Sequence, residues 1–113
     1  KLRIGWVDPT RSGSLPDETG HINDTGSVVT GEMVLYVMNV EPNDSIRIRT
    51  ESDTDVDLYV RFGHPPTTSD YDARGYTVTG DETIDFDAHE SGDLHIGVHG
   101  WITSDYSLNT AAQ

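Results

Sequence analysis

At 113 residues the chain has room for one domain and one core, and too little for a catalytic domain with a second module. Twenty Asp and Glu against 7 Lys and Arg give a formal charge of −13, which repels phosphate backbones and argues against nucleic acid or an anionic membrane as partner. No cysteine is present, so no disulfide is assigned, and no apolar run approaches the roughly 20 residues that span a bilayer. No signal-type segment stands at Lys1, and the chain reads as a soluble piece of something larger. The excess of Asp and the single lysine suit solubility in salt, where self-repulsion is screened, and fit a saline or halophilic source.

In chain order, residues 1–8 alternate Leu2, Ile4 and Trp6 against Lys1, Arg3 and Gly5 and predict a first strand, with Trp6 read as core. Residues 9–25 are rich in turn formers without an apolar period, which predicts a long surface loop. This stretch holds Asn23-Asp-Thr25. Asn43-Asp-Ser45 follows later; both fit a glycosylation acceptor pattern but read first as turn-forming residues. The near-continuous apolar run of residues 31–40 predicts a strand covered on both faces. Residues 41–44 form a turn, and Ile46 and Ile48 alternate with Arg47 and Arg49 in what reads as the second half of a hairpin.

The most regular stretch is Asp55-Val-Asp-Leu-Tyr-Val-Arg-Phe62. Val56, Leu58, Val60 and Phe62 share one parity, and Asp57, Tyr59 and Arg61 the other, the signature of a half-buried strand. Gly63, Pro65 and Pro66 end it. Further strands follow at Ile84 and Phe86, over residues 93–102 and over 105–109, and no window shows a helical stripe. About seven to nine short strands separated by turns predict a single all-β domain, an antiparallel β-sandwich of jelly-roll type.

Three blocks then carry a resemblance: Asp55-Val-Asp-Leu-Tyr-Val-Arg-Phe-Gly63 with Pro65-Pro-Thr-Thr68 and Tyr71-Asp-Ala-Arg74, Gly92-Asp-Leu-His-Ile-Gly-Val-His-Gly-Trp101, and Tyr106-Ser-Leu108. In this order, over residues 31–108, they resemble the bacterial pre-peptidase C-terminal domain, a β-sandwich relative of the collagen-binding domains of clostridial collagenases. The resemblance implies a non-catalytic appendage of a secreted, extracellular hydrolase, commonly a peptidase. Such appendages assist secretion or folding, are removed in maturation, or bind an insoluble polymer such as collagen or chitin. Residues 1–25 are then an N-terminal strand with a long loop or linker, and 26–113 the sandwich. Members from marine metalloproteases carry cysteines where Ala73 and Ile84 stand here, so packing replaces a disulfide.

The residues offer no catalytic constellation with a mechanism: there is no cysteine nucleophile and no His-Glu-x-x-His zinc motif, and we expect no enzyme. His95 and His99 lie four residues apart on one strand face, roughly 13 Å, too far to chelate one ion. Asp53 and Asp55 at a strand entry, with Asn23 and Asp24 from the long loop, are a candidate oxygen set for calcium, the one cofactor considered; the other reading is a solvated acidic turn. The resemblance implies an N-terminal linker that holds calcium with acidic residues and an Asn-Asp pair in the collagen-binding relatives, and Glu18, Asn23 and Asp24 are similar to these in type but not in spacing. Asp57 is expected to accept hydrogen bonds that fix a turn. Tyr71, Asp72 and Arg74 are expected to form a structural turn.

By parity Tyr59 and Arg61, and His95, His99 and Trp101, point away from the core. Together they define a candidate aromatic and basic ligand face, with Gly97 leaving a shallow groove. The partner expected there is an extracellular polymer, a collagen-like protein, chitin or another polysaccharide, besides the parent hydrolase. The other reading of these residues is that Tyr59 packs under a loop and that Trp101 lies on a loop and covers the sandwich edge. The alternatives for the domain are a folding, secretion or maturation domain without a ligand, and a calcium-stabilised spacer or adhesion module.

Overall fold

A computed structural model describes residues 10–75 and 80–113. The strand expected over residues 1–8, with Trp6, lies outside the described residues. Among the described residues nine strands form two packed sheets: β1 (Thr10–Ser12), β2 (Asn23–Val28), β3 (Met33–Val40), β4 (Ser45–Glu51), β5 (Val56–Phe62), β6 (Ala73–Gly75), β7 (Glu82–Asp87), β8 (Gly92–Gly100) and β9 (Ser104–Ala112). One sheet has the order β1-β3-β8-β5-β6, the other β2-β9-β4-β7. No helix occurs among the described residues. The predicted all-β sandwich is the fold observed.

The alternation read from the sequence builds the core directly. Val34, Tyr36, Met38 and Val40 of β3, Val56, Leu58 and Val60 of β5, and Leu94, Ile96 and Val98 of β8 face inward from the five-stranded sheet. Ile46 and Ile48 of β4, Ile84 of β7, Tyr106 and Leu108 of β9 and Val28 of β2 meet them from the other. At about 25 cal/mol per Å² of apolar surface, these interdigitated faces are the main stabilising term. Ala73 packs against the cluster that contains Ile84, so the two positions that the resemblance matches to cysteines both stand in apolar packing.

Two expectations are corrected. The 41–44 turn does not close a hairpin: β3 pairs with β1 and β8, while β4 pairs with β7 and β9, so the turn carries the chain from one sheet to the other. Asn43 takes φ 73° within it, the left-handed conformation that asparagine tolerates, as the turn reading requires. The second correction concerns the long loop expected over residues 9–25. Residues 10–12 pair parallel to β3, residues 23–25 already pair with β9, and Ile22 is fully buried. The 25/26 boundary thus falls inside β2. Ile22 escaped notice because one apolar residue makes no period; it is fixed by bonds of its N–H to the Thr110 hydroxyl (2.9 Å) and from the Thr110 N–H to its carbonyl (2.9 Å).

The edge where β1 and β2 face each other is closed by polar groups. Tyr36 donates to Asp24 (2.8 Å), and the Tyr36 and Tyr106 hydroxyls, one from each sheet, lie 2.6 Å apart. Burial raises the pKa of both phenols, keeping them neutral donors. Arg11 donates to the Ser27 carbonyl and pairs with Glu32 at 3.3 Å, which raises its own pKa.

Candidate functional site

The outer face of the five-stranded sheet carries most of the expected ligand residues in register. Tyr59 lies opposite Gly97, Arg61 opposite His95 and Asp57 opposite His99 on β8, and Tyr59 lies opposite Arg74 on β6. Parity therefore placed Tyr59, Arg61, His95 and His99 on one face correctly. They are not an open surface, however.

The 63–72 segment folds back across this face. Pro66 is buried, and a Cβ on Gly97 would stand 3.2 Å from Pro66 Cγ and 2.5 Å from Met33 Sδ. Gly97 therefore seats the loop rather than opening a groove. Tyr59 is only 3% exposed: Tyr71 packs edge-on against it (centroids 5.2 Å), His99 lies at 6.3 Å, and the Arg74 guanidinium stands 5.8 Å from the Tyr59 ring and 5.9 Å from that of Tyr71. Such cation–aromatic contacts stabilise by about 0.5–1 kcal/mol near a surface. Arg61 pairs with Asp70 of the loop at 3.3 Å. Asp72 ties the loop down, its carboxylate accepting the Phe62 N–H (2.7 Å) and its own N–H donating to the Val60 carbonyl (2.8 Å). Of the residues expected to form a structural turn, Asp72 anchors the loop end while Arg74 stands in β6, and Tyr59 is packing beneath Tyr71, out of reach of a polymer.

The turn-fixing role expected of Asp57 falls to Asp72. Asp57 is 8% exposed, and among the described residues its carboxylate takes no hydrogen bond. Desolvation first, then the neighbouring Asp55, raises its pKa, with Arg74 opposing. Burial lowers the pKa of half-buried His95, with Asp93 opposing and His64 assisting.

Trp101 is not on the β8 face. It stands in the β8–β9 turn, 64% exposed, its N–H donating to the Asp55 carbonyl (3.1 Å). This turn is bonded to the β2–β3 turn: Gly31 N–H reaches the Gly100 carbonyl (2.8 Å), Gly100 N–H the Glu32 carbonyl (3.0 Å) and Thr30 N–H the Thr103 hydroxyl (3.1 Å). Val29 and Ile102, 52% and 45% exposed, therefore share one end of the sandwich with Trp101. Sequence reasoning missed both, although an apolar residue set among Thr, Gly and Ser in a turn is the signal of a side chain no core claims.

The four candidate calcium ligands are not brought together. Asn23 lies opposite Asn109 on β9, while β4 ends with Glu51 opposite Ser107 and Asp53 lies beyond it. Two strand spacings, about 10 Å, and several residues of rise separate the pairs. Asp24 is engaged by Tyr36, and Asp55 sits at the entry to β5 in the other sheet. Among the described residues no group of three or more His, Asp or Glu is placed to hold a metal ion.

Solved structures share the two-sheet architecture. The pre-peptidase C-terminal domain of collagenase from Bacillus anthracis superposes with a TM-score of 0.66 at 16% identity, covering 96% of this chain and 100% of that one. PliG of Aeromonas hydrophila, a periplasmic inhibitor of g-type lysozyme, gives 0.71 at 15% identity over 93% and 96%. Both likenesses speak for the fold. Residues 34–100 match the bacterial pre-peptidase C-terminal domain, and the chain belongs to that family. Among curated proteins it is 31% identical over 111 residues to alkaline serine exoprotease A of Vibrio alginolyticus and 27% identical over 96 residues to the neutral protease of Vibrio proteolyticus. These matches take in 91% and 79% of this chain but only 19% and 16% of the proteases.

Proposed function

We propose that the chain is a non-catalytic accessory domain of a secreted bacterial peptidase and docks it to an extracellular polymer, a collagen-like protein or a polysaccharide such as chitin, through the Trp101 end. The observation that carries this reading is the exposure of Trp101 beside Ile102 and Val29, three apolar side chains on turns locked to each other by backbone hydrogen bonds. A rigid, exposed aromatic anchor loses little entropy when it stacks on a sugar ring or a peptide. The family match and the position of the relatives, proteases of which this chain corresponds to a small part, support the accessory role. His99, half-exposed near the same end, borders the surface, whereas Tyr59 supports the sheet beneath it.

The test is retention of the domain on insoluble collagen, chitin, cellulose and alginate at low and high salt. Wild type is expected on one polymer, with Trp101→Ala lost from it while keeping its melting temperature. Retention of Trp101→Ala equal to wild type sinks the tip as the site. Absence of wild type from every polymer moves the assignment to a folding or secretion aid, read next from secretion of the parent enzyme without its domain.

A further inference from the structure

At the end of the sandwich opposite Trp101, the core opens. Phe62 of β5 and Phe86 of β7 stand at inward parity, one from each sheet, yet both are half-exposed, although their inward neighbours Val60 and Ile84 are buried. Their rings lie nearly parallel, 12° apart in plane with centroids at 6.3 Å, as an offset stack. Phe62 is held in place by Gly92, where a Cβ would stand 2.5 Å from its ring. Beside the rings is a cavity of about 330 Å³ lined by Phe62, Asp72, Phe86, Asp87, His89 and Glu90.

It is lined by three acidic residues and, among the described residues, by no arginine or lysine. Asp72 accepts the Phe62 N–H at 2.7 Å, and Asp87, at the outward parity of β7 at the strand end, accepts the Ser45 hydroxyl at 2.7 Å. Each of those bonds engages one oxygen and leaves the second for another donor. A bare apolar ligand would desolvate the carboxylates without return, an anion would be repelled, and a hard divalent cation gains nothing from a phenylalanine floor. A guanidinium on an aliphatic stem satisfies both parts, lying over an aromatic plane while its N–H groups reach carboxylates at the edge.

We propose that this mouth is a second binding site, which takes the arginine side chain of a polypeptide. It is built from residues remote from the Trp101 end and stands whether or not that end docks a polymer. The experiment titrates the ¹⁵N-labelled chain with acetyl-Gly-Arg-Gly-amide and with the same peptide carrying neutral, nearly isosteric citrulline. Saturable shifts are expected at the amides of Phe62, Asp72, Phe86 and Glu90 with the arginine peptide only. The Asp87→Asn, Glu90→Gln double variant, its remaining amide spectrum unchanged, should bind about tenfold more weakly, the scale of losing charge partners at a solvent-facing rim. Phe86→Leu should weaken binding severalfold while still filling the core. Equal binding of the citrulline peptide, an affinity indifferent to the rim variants, or no saturable shift at these amides would each overturn the proposal.

Discussion

The two outer faces of the sandwich have the same alternation in sequence and opposite fates in space. On the four-stranded sheet, Arg47, Arg49, Thr83, Asp85 and Asn109 are all exposed; Arg47 pairs with Asp85 (2.8 Å), and Arg49 forms no ion pair among the described residues. On the five-stranded sheet the equivalent positions hold Met33, Asp57 and Tyr59, all buried, and Pro66 and Tyr71 of 63–72 reach Gly97 and Tyr59 there. Period two fixes which way a side chain points relative to its own sheet. Whether that side meets water depends on what a distant loop does.

Emptying the covered face has the largest expected effect. Tyr59→Ala should destabilise the domain by about 3–4 kcal/mol in urea unfolding, as removal of a buried aromatic does, and a loss below 1 kcal/mol would show the loop closes nothing. Next in size, Gly97→Val pushes against Met33 and Pro66 and should cost about 1–3 kcal/mol, with increased proteolysis in 63–72 if the loop is what gives way. A pH series on Asp57→Asn comes third. Because the folded pKa of Asp57 is raised, its ionisation works against the fold: its contribution is favourable below the unfolded carboxylate value and is lost as pH rises through the folded one. The variant should therefore melt higher than wild type at neutral pH, and the gap should narrow as pH falls through the carboxylate range. Smallest of all, Arg49→Ala on the open face should change stability by no more than about 0.5 kcal/mol.

Much of the fold was legible because strands β4, β5, β7, β8 and β9 carry their own two-residue rhythm and β3 a near-continuous apolar run, with turn formers between them. Val56, Leu58 and Val60, or Ile46 and Ile48, could be assigned to the interior from neighbours alone. What could not be read depends on pairing at long range. Ile22 has no rhythm and is buried only because Thr110, 88 residues away, binds its backbone. The sheet change after Val40 leaves no local trace, since a turn within a hairpin and a turn between sheets use the same residues. For the candidate site, the parity of Tyr59, Arg61, His95 and His99 was right and their accessibility was not, because Pro66 reaches Gly97 across 31 residues. Phe62 and Phe86 read as core from their spacing; that they sit at a mouth depends on how far the sheets diverge at their ends.

The parallel pairing of β1 with β3 has a mechanical consequence. Thr10 enters beside Met33, at the end of the five-stranded sheet where β8 finishes, whereas β9 leaves at Ala112 beside Ile46, at the other end. A pull between residue 10 and the C-terminal end therefore runs along the strands. Every ladder bond of β1 with β3, and of β9 with its neighbours, is loaded sideways and together rather than peeled one at a time, so the domain should resist stretching far better than its melting behaviour alone would indicate.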